Sequence, residues 1–108
     1  MLGFALLTGC AGFESPVDQL AKTQAAVRAA EEAGAEKVDP QSQLYLKLAR
    51  EQLEKGKGMM NDENESADRL LRRAEADAEL AREIAHLQTA QLGASDAKKI
   101  LQKLKPVN

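Results

Sequence analysis

Small residues recur at every seventh position through the second half of the chain. Ala67, Ala74 and Ala81 share one register, and Leu71, Ala78 and Ala85 share the other, so steps of three and four alternate. Only a helix gathers positions at that spacing on one face, and a seam of methyl groups lets a neighbouring axis come close. The seam predicts a helix over about 65–91 that packs against other helices. Glu65 with Arg69 and Asp68 with Arg72 stand four residues apart with the acid first, the favourable order on a solvated face. Leu80, Ile84 and Leu87 form a second apolar row on the same helix, more than a three-helix hairpin has surface to cover.

Two shorter helices precede this one. Ser15-Pro16-Val17-Asp18 reads as a start, with Ser15 as cap, Pro16 in the first turn and Asp18 completing a capping-box-like pair. From there Val17, Leu20, Gln24, Val27 and Ala30 make a narrow stripe, with Lys22, Arg28, Glu31 and Glu32 off it, and Gly34 is a natural stop. This helix is expected over about 16–33. Asp39-Pro40 repeats the cap and proline, opening a helix over about 40–60 whose stripe is Leu46, Ala49, Leu53, Gly56 and Met60. Leu44, Tyr45 and Leu48 widen its early face, and Gly56 and Gly58 weaken its end by about 1 kcal/mol each relative to alanine. The run Asn61-Asp62-Glu63-Asn64 is a polar turn. After the third helix, Gly93 predicts a kink or short turn, and Ser95-Asp96 starts a short fourth helix over about 95–105. That helix would turn Ala97, Ile100, Leu101 and Leu104 back over the second apolar row. The fold class expected is therefore all-α, an antiparallel bundle of three main helices plus a short C-terminal one.

The N-terminus carries the clearest address. Leu7-Thr8-Gly9-Cys10 follows a run of Leu2, Phe4, Ala5 and Leu6, and it matches the pattern ahead of a lipid-modified cysteine in bacterial lipoproteins. Small Thr8 and Gly9 fit a peptidase groove, and the Cys10 thiol takes a diacylglycerol. Two or three acyl chains, at about 0.8 kcal/mol per buried methylene, anchor stably where one would be marginal. Only nine residues precede Cys10 and none is basic, so residues 1–9 read as a truncated signal peptide, 10–14 as a lipidated tether and 15–108 as an alanine-rich helical domain. Cys10 is the only cysteine, and in the alternative reading it is an ordinary buried thiol. Ala11, which lacks an acidic side chain after the lipidated residue, favours the outer membrane on its periplasmic side.

Charge and composition exclude several functions. Fifteen basic against seventeen acidic residues give a net charge of -2, without the basic face that nucleic-acid binding requires. Aromatic residues are 3% of the chain and tryptophan is absent, so the core must be thin and aliphatic. His86 is the only histidine, and with Glu79, Arg82 and Glu83 as neighbours it lacks the second imidazole or thiolate a metal site needs. Asp62, Glu63 and Glu65 lack the glycine and twelfth-position glutamate of a calcium loop. Asp77, inside the alanine seam, faces either a groove or Arg73 four residues before it, or simply the surface. No catalytic serine, phosphate loop or paired histidine motif occurs, and no cofactor or metal is expected.

The stretch Ala26-Val27-Arg28-Ala29-Ala30-Glu31-Glu32-Ala33-Gly34-Ala35, Pro40 opening a helix with Ala49 and Leu53, and the run Ala67, Leu70, Leu71, Ala74, Asp77, Ala78, Leu80 and Ala81 resemble the domain-of-unknown-function 4398 family of bacterial lipoproteins. The resemblance spans roughly residues 16–85. Val38-Asp39 stands where that family tends to have an aromatic residue and alanine, and the 61–64 turn is longer and more polar than its short glycine and aromatic turn. The resemblance implies a helical envelope lipoprotein, sometimes found beside or fused to peptidoglycan-binding domains. It brings no catalytic residues.

These observations together make the chain an expected membrane-anchored, non-enzymatic adaptor or scaffold in the cell envelope. Its partners would be the membrane, through lipid on Cys10, and an envelope protein or peptidoglycan-associated complex docked on Leu80, Ile84 and Leu87. One alternative is a homo-oligomeric coiled-coil spacer. Another is a carrier of a small apolar ligand held by Tyr45, Leu48 and Leu71, which tightly packed alanine seams disfavour.

Overall fold

The computed structural model describes residues 13–104. They form three helices, α1 Val17–Glu32, α2 Pro40–Met59 and α3 Asn64–Leu104, with no strand among the described residues. Short connections reverse the chain twice, so α2 runs antiparallel to both α1 and α3. Helix α3 is the spine: the other two pack chiefly against it and touch each other less.

The first reversal is built from local chemistry. Gly34 sits at φ +80°, its N–H bonds the Glu31 carbonyl, and the Ala35 N–H reaches back to Ala30. This is a Schellman ending, and glycine supplies the left-handed residue without steric cost. Asp39 then caps α2 with its carboxylate accepting from the Gln41 N–H at 2.7 Å and the Ser42 N–H at 3.3 Å, and Pro40 is the first helical residue. The Ser42 hydroxyl is fully buried and donates to the Ala35 carbonyl at 2.7 Å, pinning the loop to the helix it leads into. Arg50 clasps the same corner by donating to Glu31 at 2.8 Å and to Glu36 at 3.3 Å. Hydrogen bonds to Glu36 and then to Glu31 raise the guanidinium pKa above its already high ordinary value. The second reversal places Asn61 at φ +77°, a conformation asparagine tolerates better than most residues. Its N–H donates to Asn64 Oδ1 at 2.6 Å.

The core follows the predicted seam. Ala67, Leu71, Ala74, Ala78, Ala81 and Ala85 are all fully buried, and Leu46, Ala49, Leu53 and Gly56 of α2 lie against them. Both predicted ion pairs of α3 form: Arg69 with Glu65 at 3.1 Å and Arg72 with Asp68 at 2.8 Å.

Four expectations fail. Helix α1 starts one residue later than its cap chemistry suggests, because the Pro16 carbonyl accepts the first helical bond, from Leu20; Ser15 and Asp18 form no capping box. Its inward face is also rotated. Val17 is exposed, while Gln19 and Thr23 are buried with Val27 and Ala30, since both polar side chains find bonding partners on α3. Leu44 of α2 likewise faces solvent. The largest difference is at Gly93, where neither kink nor turn occurs. Helix α3 continues to Leu104, and the separate helix expected over 95–105 is the free end of the same rod. A lone glycine costs a helix about 1 kcal/mol, too little to end one without a capping partner.

Gly56 marks the closest approach of α2 to α3. A Cβ there would stand 2.8 Å from Leu71 Cδ2 and 2.9 Å from its Cγ, and Leu71 is fully buried with no room to yield. A Cβ at Gly58 meets nothing within 4 Å. Gly56→Ala therefore gains about 1 kcal/mol of helix propensity but incurs overpacking of roughly 1–3 kcal/mol. Gly58→Ala keeps only a propensity gain. Thermal melting should show Gly56→Ala less stable than the parent and Gly58→Ala equally or more stable.

Candidate functional site

Two kinds of surface follow from this spine, one turned inward and satisfied, the other turned outward and bare. Inward, polar side chains fasten α3 to its neighbours. The Thr23 hydroxyl lies 2.8 Å from both the Leu71 and Gln19 carbonyls, and it accepts from Gln19 Nε2 at 3.2 Å. Gln19 also donates to Glu75. Across the bundle, Gln52 Nε2 donates to Asp77 Oδ2 at 2.9 Å, so Asp77 is half-buried against α2 and bonded there, and not to Arg73. Gln52 Oε1 is buried without a partner. These groups lock the helices together.

Outward, α3 outruns its cover. Ala85 is its last buried residue and Gln88 its last partly buried one; every residue over 89–104 is exposed. Leu80 and Leu87 of the predicted partner row are exposed, at 42% and 60%, and Ile84 is half-buried. The tail does not fold back over them, because it is collinear with them.

Straightness joins what the sequence presented as two faces. Leu80, Leu87, Ala94 and Leu101 are spaced by seven, and so are Ala90, Ala97 and Leu104. At about 100° per residue this stripe lies roughly opposite the buried alanine seam. Helix α3 is thus amphipathic twice: an inner seam of alanines over 67–85 under α1 and α2, and an outer leucine and alanine stripe over 80–104 that no other described residue covers. Continuous helix through Gly93 was the missing link, and the common register of Leu80, Leu87, Ala94 and Leu101 was the signal that could have revealed it.

The other candidates are placed as follows. Cys10 and the preceding Leu7, Thr8 and Gly9 lie outside the described residues. His86 is exposed, and among the described residues no three His, Cys, Asp or Glu side chains are grouped to hold a metal ion. No described helix is long and apolar enough to cross a membrane. One open recess of about 450 Å³ lies beside Phe13 and residues 62–66, where the second turn enters α3; Leu71, expected with Tyr45 and Leu48 to hold an apolar ligand, is fully buried inside the bundle.

Fold and surface define a class, a small three-helix bundle whose last helix projects beyond it. The chain belongs to the family described as domain of unknown function (DUF4398), which it matches over residues 18–97, past Gly93 and into the projecting segment. No curated protein and no solved structure matches it.

The two faces of α3 respond differently to substitution. Ala78→Leu forces a large side chain between close-packed helices and should cost roughly 1–3 kcal/mol or more. Leu87→Gln, on the bare face, should change the stability of dilute protein by less than about 0.5 kcal/mol. Chemical denaturation of the two variants beside the parent checks the assignment.

Proposed function

We propose that this protein is a lipid-anchored, non-enzymatic helical adaptor of the bacterial cell envelope. In this reading Cys10 carries the lipid, Leu7, Thr8 and Gly9 present it to the processing peptidase, and the domain stands on the periplasmic side of the outer membrane. The bundle is the rigid part and the outer stripe of α3, from Leu80 through Ile84 and Leu87, is where an envelope protein or peptidoglycan-associated partner docks. The mechanism is tethering: an anchored surface raises the local concentration of whatever it binds, without new chemistry.

The observation that carries the proposal is the outer stripe itself. Large side chains at Leu80, Leu87, Leu101 and Leu104 are 42–72% exposed along one line, and contiguous apolar surface of this kind marks an interaction site. The lone cysteine at the end of Leu7-Thr8-Gly9 supports the envelope address. The spacer alternative gains from the same rod, because residues 89–104 project as an unaccompanied helix.

Intact mass of the gene product extracted from membranes, beside a Cys10→Ala version, tests the anchor. The parent should gain the mass of two or three acyl chains and sediment with outer membranes. Cys10→Ala should show neither property. An unmodified parent that fractionates like the mutant contradicts the anchored reading.

A further inference from the structure

We infer that the outer stripe of α3 pairs with the same stripe of a second copy of this chain, running antiparallel, so that two bundles are joined end to end through their projecting helices. The inference rests on the adaptor reading and narrows it: the protein that occupies the outer stripe is a second copy of this chain in place of a different envelope protein.

Four features of the stripe point to that occupant. First, residues 89–104 make a helix exposed along its whole length among the described residues, and an isolated helix of that length is marginal in water. Second, apolar positions alternate by three and four residues from Leu87 to Leu104, with the charged Glu83 at the stripe position between Leu80 and Leu87, and that spacing matches a facing helix more than a flat surface. Third, charge is divided along the stripe. Its first part carries Glu79 and Glu83 with Arg82, whereas its last part carries Lys98, Lys99 and Lys103 with Asp96. A parallel pair would set acid beside acid and lysine beside lysine; an antiparallel pair sets each part against its opposite, which selects orientation and partner together.

The fourth feature is size. In the antiparallel register that matches the two heptad positions, Leu80 faces Leu104 of the other copy, Glu83 faces Leu101, Leu87 faces Ala97, and Ala90 faces Ala94. Leucine meets alanine at Leu87 and Ala97 on either side of a small-residue centre, leucine meets leucine at the ends, and Lys98 falls within about a turn of Glu83 across the seam, close enough to pair with it. Gly93 lies beside that centre. A Cβ there meets nothing within 4 Å in the single chain, so the bundle itself gives no reason for a helix-weakening glycine, whereas a second helix crossing closely does. The interface is isologous: each copy presents the same patch, and the pairing closes at two.

The test uses the full chain carrying Cys10→Ser, which removes the native thiol. Sedimentation equilibrium from a few to about a hundred micromolar should give a monomer–dimer equilibrium. Leu87→Glu with Leu101→Glu should weaken it at least tenfold while the bundle's melting transition stays in place, showing that the variant still folds. Orientation is read by oxidation. Leu87→Cys and Ala97→Cys, in separate chains, should form a mixed disulfide when combined and little of either self-disulfide, because like positions lie about 15 Å apart along the axis. A monomer throughout, a trimer, or self-disulfides in preference to the mixed one overturns the pairing. If the pairing fails while Cys10 of the parent is lipidated in cells, the anchored adaptor survives; if pairing holds and Cys10 carries no lipid, the anchor alone is lost.

Discussion

The close approach of helices across the alanine seam of α3 is the constraint on which the rest of the structure depends. Six seam residues are buried completely, and five of them are alanine, so neighbouring axes must come near enough for methyl groups to fill the space between. Leu46 and Leu71 are the only large aliphatic side chains among the most deeply buried. A core this thin supplies modest hydrophobic stabilisation per residue, since transfer energy scales with apolar area removed from water. Gly56 is part of the same constraint, for it is where α2 comes closest and where even a methyl group meets Leu71.

Thinness explains why polar groups do so much of the fastening. Thr23 bonds the Leu71 carbonyl, Gln19 bonds Glu75, Gln52 bonds Asp77 and Ser42 bonds Ala35. Each contributes about 1 kcal/mol net, but the larger effect is selective, because a rotated or slipped helix would leave these groups buried and unpaired. Helices lined by alanine alone could slide past one another with little loss. The polar bonds set the register that the methyl groups leave loose.

The seam of α3, the Asp39-Pro40 start, the Gly34 stop and both surface ion pairs could be read in the sequence, because each is a local or strictly periodic signal. What could not be read was tertiary. Thr23 and Gln19 look like surface residues until Leu71 and Glu75 are placed beside them, so the inward face of α1 was assigned about a sixth of a turn away. Gly93 looks like a boundary, although nothing near it caps or redirects the chain. Treating it as one separated the partner row at Leu80, Ile84 and Leu87 from Leu101 and Leu104, which continue the same outer stripe. Family membership agrees with the helical fold and reaches residue 97. The docking role and the lipid anchor rest on the proposals above, and Cys10 lies outside the described residues.

In the proposed pairing, α3 is packed under α1 and α2 to about Gln88 and depends beyond that on a second molecule. Hydrogen exchange along α3, followed at low and high micromolar concentrations of the Cys10→Ser chain, tests it most directly. Amides over 64–88 should exchange slowly at both concentrations, while those over 89–104 should exchange fast when dilute and slow several-fold or more as concentration rises. Equal protection along the whole helix at every concentration would mean that the chain covers its own tail, and the proposal would be wrong.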